Sequence, residues 1–339
     1  MRGDHTQLHL ADLSLKANGQ NAALKKMNLA SKFIEHSMAS KVPANTFIVV
    51  DTHADTLTGS LQWAGGVTAV RTAAMSELLV EFCGKAFLAK VKESATAARE
   101  FQPPENPGWY KDSPFFRGGW RGLLLATCGP AVRIHAGFDD LKRLVDGCVF
   151  SVAFASCHGA DGCCRDRFDF VLAFAGSSTL SNHIKNTVSQ AIEGLGVDNA
   201  GNIWETMSQV VGRDLTLLQM NSVVVIYRER GGEVKCRHIG SHCPPLRAWG
   251  VEFRACATQG CRPGPYDFII RENASGVRVV CRECQWRSAA LKLSDFKGLL
   301  FRLSSALPDV FWHEYPASAE LQDLFVRVTK LKGRQKEGK

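Results

Sequence analysis

Short apolar runs alternate along this chain with longer segments in which apolar residues recur every three or four positions. Over residues 21–39, Leu24, Met27, Leu29, Phe33, Ile34 and Met38 trace one helical face, and Pro43 closes the segment. The run 46–51 predicts a buried strand leading directly into Thr52-His-Ala-Asp55. A long helix is predicted over 75–98, with Leu78, Leu79, Phe82, Phe87, Leu88 and Val91 as its buried stripe. Proline and glycine punctuate 103–119, which reads as an exposed loop. Further buried strands are predicted at 121–127, 168–174 and 222–227, with helices near 180–192 and 203–211. Short apolar strands alternating with helices predict an α/β domain with a largely parallel sheet. The closing segment contains Val310-Phe-Trp-His313 and the run 321–328, read as a helix packed back on the body.

These patterns divide the chain into four stretches. Residues 1–40 are a loose segment and a helix, and 41–232 form the α/β domain, interrupted near 148–166 by a cysteine-bearing insertion. Residues 233–300 are a cysteine-rich module, and 301–339 a C-terminal segment with a basic tail. A composition of 45 % hydrophobic and 22 % charged residues excludes a wholly disordered or collagen-like chain. No apolar run approaches the roughly 20 residues that a membrane-spanning helix needs. The polar N-terminus shows no signal-peptide pattern, so an intracellular protein, cytoplasmic or nuclear, is expected. Net charge is +8, and the last ten residues hold +4 of it. The remainder is too weakly basic for charge alone to indicate a nucleic-acid partner, and the tail reads as a solvated end.

The twelve cysteines sharpen the picture, because without a secretory signal they point to thiols, metal or catalysis rather than disulfides. Cys256, Cys261, Cys281 and Cys284 form C-x4-C-x19-C-x2-C, two hooks separated by a predicted hairpin at 266–270 and 276–280. Zinc takes four thiolates in a tetrahedron, and such hooks turn two sulfurs toward one ion. A structural Zn2+ in a zinc-ribbon layout is therefore expected, with a protein partner as one use of the module. Cys236, His238, His242 and Cys243 lie close together at a spacing that matches no established metal motif. The loop holding Cys157, His158, Cys163 and Cys164 reads as an insertion.

Two predicted strands end in reactive side chains, His53 and, 75 residues later, Cys128. Ligands and catalytic groups gather at the C-terminal ends of parallel strands. A thiolate nucleophile needs an imidazole close by. Gly129 leaves the backbone uncrowded where a substrate carbonyl approaches, and the N–H groups of Cys128 and Ala54 are candidate oxyanion donors.

The blocks Phe47-Ile-Val-Val-Asp-Thr-His-Ala-Asp-Thr-Leu-Thr-Gly59 and Gly122-Leu-Leu-Leu-Ala-Thr-Cys-Gly129 resemble the His and Cys blocks of caspase-like cysteine peptidases, the superfamily of caspases, metacaspases, separase and CHAT domains. The resemblance covers about residues 46–227. It implies a three-layer α/β/α sandwich in which one strand ends in the catalytic His and the next in the catalytic Cys. His53 is then the base and Cys128 the nucleophile acting on a protein or peptide substrate, with Asp55 as the acidic residue that follows the His. Ala54 stands where the family usually carries Gly, and the interval between His and Cys exceeds that of caspases.

Three other readings use the same residues differently. His158, in Ser156-Cys-His-Gly159, is a rival base. Asp51, His53 and Asp55 have the D-x-H-x-D spacing of metal-dependent hydrolases. An inactive caspase-like scaffold would leave function to the ribbon, where Arg254, Arg262, Arg278, Arg282, Arg287 and Trp286 suit a protein or nucleic-acid partner.

Overall fold

In the computed structural model, the described residues are 9–13, 20–40, 44–64, 70–100, 119–127, 129–146, 166–176, 181–197, 202–228, 233–253, 256–262 and 267–326. They fall into two compact units, Met1–Arg213 with Val223–Lys235, and Asp214–Ser222 with Cys236–Lys339. No helix among the described residues is long and apolar enough to cross a membrane.

The first unit opens with α1 (Gln20–Ala39), which buries Ala23, Met27, Ala30 and Ile34, one residue per turn along a single stripe. Strand β1 (Thr46–Asp51) follows, then a small hairpin of β2 (Leu61–Ala64) and β3 (Arg71–Ala73). The helix predicted over 75–98 is interrupted. It comprises α2 (Met75–Leu78), a wider π turn at Leu79–Cys83, and α3 (Lys85–Glu100), separated by Gly84 at φ +79°. A Cβ at Gly84 would come within 2.8 Å of Leu24 Cδ2, so this break also lets α1 pack closely. The predicted stripe from Leu78 to Val91 is buried throughout, because periodicity survives a local break in the helix.

Strand β4 (Arg121–Ala126) is buried at every position and leads through Gly129 into α4 (Pro130–Arg133) and α5 (His135–Val145). After residue 165 the chain returns as β5 (Phe170–Phe174), also wholly buried, then α6 (Ser181–Ile192), α7 (Ile203–Arg213) and β6 (Val223–Arg228). Within this unit the strand order is β1-β4-β5-β6. β1 and β5 both run parallel to β4, and β6 runs antiparallel to β5. The expectation of a largely parallel sheet thus holds for three of these four strands. Two helices, α6 and α7, lie in succession between β5 and β6 and return the chain to the end it left, which reverses the fourth strand.

β1 differs from the fully buried strand expected, since only Val50 is buried and Val49 is 47 % exposed. It pairs with β4 alone and forms an edge. At the opposite end of the parallel strands Arg121, 1 % exposed, donates from Nη2 to Asp169 Oδ1 at 2.8 Å and to Asp166 Oδ1 at 3.1 Å. Burial alone would raise the Asp166 carboxyl, but the Arg121 and Arg228 guanidiniums outweigh it and hold that group below its ordinary value. This cluster fixes Asp166, the first described residue after the insertion, to the entrance of β4.

The second unit contains α8 (Leu215–Met220), capped by Asp214, whose Oδ1 accepts from Leu217 N–H at 2.9 Å. Arg247 closes the other end by donating to the Leu218 and Gln219 carbonyls. Strand β7 (Val234–Ser241), the hairpin β8 (Phe268–Asn273) and β9 (Gly276–Cys281), β10 (Phe301–Ser304), β11 (Leu307–Glu314) and α9 (Ala319–Val326) complete it. β7, β11 and β10 pair antiparallel in that order. Val310 to His313 lie in β11, because their apolar run pairs with β7 instead of continuing the helix predicted there. Phe268, Val277 and Cys281 share one core with Phe296, Phe311, Leu324 and Phe325, so the β8–β9 hairpin and the closing segment bury the same surface.

Candidate functional site

In the first unit the chemistry depends on where β1 and β4 end. Their register runs from Thr46↔Arg121 to Asp51↔Ala126, so the last paired residues are level. Neighbouring strands lie about 4.8 Å apart. His53 and position 128 each follow those last pairs by two residues. His53 is exposed. Cys128 itself lies outside the described residues, as do Cys157, His158, Cys163, Cys164 and Arg254.

The backbone around His53 is fixed by a narrow loop. Its carbonyl accepts from Gln62 N–H at 2.8 Å, and Asp55 N–H donates to the Ser60 carbonyl at 2.8 Å, on either side of an Ala54–Leu61 bridge. Neither bond uses the N–H of Ala54, whose side chain is buried. The Thr52 hydroxyl also donates to the Gln62 carbonyl. Asp55, expected beside the substrate, caps its own turn. Its Oδ1 accepts from Thr58 N–H at 2.7 Å, the Thr58 hydroxyl at 2.8 Å and Leu57 N–H at 3.0 Å. These donors, Thr58 N–H foremost, lower the Asp55 carboxyl from its ordinary value. Gly59, at φ +73°, closes the turn where a Cβ would meet the Pro130 carbonyl at 2.8 Å.

Gly129 has a packing reason to be glycine beside the substrate access expected of it. A Cβ there would stand 2.3 Å from the Ala175 carbonyl oxygen, so the close neighbour is the end of β5. Its N–H donates to the Gly176 carbonyl at 2.8 Å, which ties the start of α4 to the next strand. The same Cβ would lie 2.8 Å from Arg133 Nε, placing a guanidinium beside the backbone that follows Cys128. Arg133 is absent from the candidates that the sequence offers; its signal is the spacing of one helical turn after the glycine. Among the described residues, Asp51, His53 and Asp55 do not gather as a metal-ligand set.

In the second unit Cys256, Cys261, Cys281 and Cys284 converge, their four Sγ atoms all within 4.8 Å of one another. Cys256 and Cys284 Sγ are 3.3 Å apart, and Cys261 and Cys281 Sγ 3.8 Å. Four thiolates at about 2.3 Å from one tetrahedral ion stand about 3.8 Å from each other, so the donor set and spacing fit a metal ion. β9 ends at Cys281, and the turn after it supplies Cys284, with Cys281 N–H bonded to the Trp286 carbonyl at 2.9 Å. Thr258 serves the other hook: its N–H lies 3.4 Å from Cys256 Sγ, and its hydroxyl 3.3 Å from Cys284 Sγ. The Thr258 hydroxyl, ahead of the Trp286 N–H, brings the Cys284 thiol down to about 6. Desolvation raises the Cys261 and Cys281 thiols.

The neighbouring quartet does not join in. His242 Nδ1 accepts from Trp249 N–H at 3.0 Å while its Nε2 faces Glu272 at 3.3 Å, and His238 packs on His313 and Tyr315. Those imidazoles hold strands and loops together. No family model, curated protein or solved structure matches the chain.

Proposed function

We propose that the chain is a cysteine endopeptidase of caspase-like organisation, with His53 and Cys128 as its dyad and a structural zinc ion held by Cys256, Cys261, Cys281 and Cys284. The observation that carries this reading is the level, parallel neighbouring of β1 and β4, with position 53 two residues past the end of β1 in sequence and position 128 two residues past the end of β4. The Cys128 thiolate adds to the carbonyl carbon of a peptide bond. The C–N bond breaks as His53 gives a proton to the leaving amine. Water then hydrolyses the thioester, His53 taking its proton, and the peptide acid leaves as the thiolate is restored. The Ala54 N–H serves as an oxyanion donor with that of Cys128. Cys256 and Cys261 from one hook and Cys281 and Cys284 from the other would hold the zinc ion, which would add folding free energy to the second unit.

Asp55 and Gly129 serve the fold, and this favours a second reading, an inactive relative whose ribbon binds a partner. One experiment decides between them. Iodoacetamide alkylation at pH 7, mapped by mass spectrometry, should modify Cys128 at least about tenfold faster than glutathione and slow by a similar factor in His53→Ala. Cys128→Ala should abolish cleavage of a mixed peptide library without moving the melting temperature. An ordinary rate at Cys128, or cleavage that survives its replacement, overturns the peptidase reading.

A further inference from the structure

The β8–β9 hairpin turns one face into the core of the second unit and the other away from it. Phe268, Ile270, Val277, Val279 and Cys281 alternate on the buried face. On the outward face Arg271 and Arg278 are directly opposed across the two strands, with Ile269 opposite Val280, itself buried, in the next row. A third segment continues this face, because Arg287 bridges to Val280 on the far side of β9. Arg287 is therefore the diagonal neighbour of Arg278, about 7–8 Å away between Cβ atoms and within reach of two long side chains. Arg271 and Arg287 are exposed and Arg278 is half-buried. None of the three forms an ion pair among the described residues.

Like charges directly opposite on a sheet destabilise it. The thiolate centre does not account for the pair. Four thiolates around a divalent ion carry two negative charges, but Cys281 is three positions from Arg278, about 10 Å along the strand. That is a full screening length at 0.1 M salt. Arg282, next to Cys281 in sequence, is the nearer offset. Glu272, beside Arg271 in sequence, points to the other face and pairs with His242 at 3.3 Å. The face thus presents a repulsive pair and a third cation with no anion of their own among the described residues.

We infer that this outward face binds the phosphate backbone of a single-stranded nucleic acid. Residues 256–291 contain five arginines and no lysine. A guanidinium forks onto phosphate oxygens and also stacks on a base plane, which a carboxylate partner would not use. The half-buried Ile269, in the row next to the opposed arginines, offers bases an apolar surface. An anionic strand lying across the three strands relieves the repulsion that the free sheet bears.

The test is fluorescence anisotropy of a labelled 20-nucleotide oligouridylate with the zinc-loaded full-length protein, titrated from 50 to 200 mM salt. Arg271→Gln/Arg278→Gln/Arg287→Gln should weaken binding at least about tenfold at 50 mM. It should also flatten the log–log salt slope by about 2, at roughly 0.7 per lost phosphate contact. The basic tail is the same in both proteins, so the difference reports this face. Zinc content should stay at wild-type level and the melting temperature should rise, since the opposed pair is gone. Binding unchanged by the substitutions, no oligouridylate binding by the wild type, or equal binding of an acidic peptide of the same charge overturns the inference.

Discussion

The strand ends of the first unit and the thiolate cluster of the second hold their reactive groups by opposite means. At the strand ends the sheet register sets level Asp51 and Ala126, 75 residues apart in sequence. The surrounding backbone is already occupied: Asp55 caps its turn and Gly129 donates to the Gly176 carbonyl. In the cluster each hook closes within a few residues and the four sulfurs are gathered with little else to do. If both proposals hold, losing the strand-end chemistry should cost the fold little, whereas losing a metal from the cluster should unfold its unit.

Metal removal puts the largest strain on that contrast. Structural zinc sites contribute about 10–16 kcal/mol of apparent binding free energy at neutral pH. Chelation, or Cys281→Ser, should abolish near-stoichiometric zinc and unfold the second unit, while far-UV circular dichroism retains the helical signal of the first. Full retention of both units after metal loss, or metal analysis finding none in the native protein, would break the comparison at its root.

Gly129→Ala tests the other side at smaller scale. The added methyl meets the Ala175 carbonyl oxygen at 2.3 Å, and that neighbour is backbone that cannot swing aside. Overpacking of this kind costs about 3 kcal/mol. Chemical denaturation should show that loss in the first unit, with zinc content untouched. A neutral result would mean that β4 and β5 do not approach so closely at their ends.

The difference between the two regions also explains what the sequence discloses. Cys256, Cys261, Cys281 and Cys284 announce themselves because hook spacing is local and the strands between the hooks alternate or run apolar like a hairpin. The strands and most helices are legible from apolar periodicity, which Gly84 interrupts without erasing. Direction is not: nothing in the run 222–227 says that α6 and α7 return it antiparallel. Nor does sequence distinguish a glycine kept for substrate from one kept for a passing carbonyl, as at Gly129, or an acid beside a His from the cap of its own turn, as at Asp55. These depend on neighbours far along the chain, or on which of several donors folds back first. Arg121 is equally silent, since its partners Asp166 and Asp169 lie more than forty residues on.

The smallest effect belongs to Asp55, and its pH dependence separates a turn cap from a catalytic acid. Thr58 N–H, the Thr58 hydroxyl and Leu57 N–H favour the charged carboxylate, so its folded value lies below the ordinary 3.8. A depressed carboxyl contributes stability that is present above its unfolded value and is lost as pH falls through the folded one. Asp55→Ala should therefore lower the melting temperature by on the order of 2 °C from pH 5 to 8, a gap that narrows below about pH 4. Asp55→Asn keeps an acceptor for the same three donors and should recover most of the loss. Both variants should leave the rate of iodoacetamide capture at Cys128 within about twofold of wild type, since a cap works on the loop and not on the thiol. If Asp55→Asn holds the melting temperature yet slows that capture tenfold, the carboxylate acts on the dyad. The strand-end region would then owe its side chains to chemistry as fully as the cysteine cluster would owe its sulfurs to a bound metal.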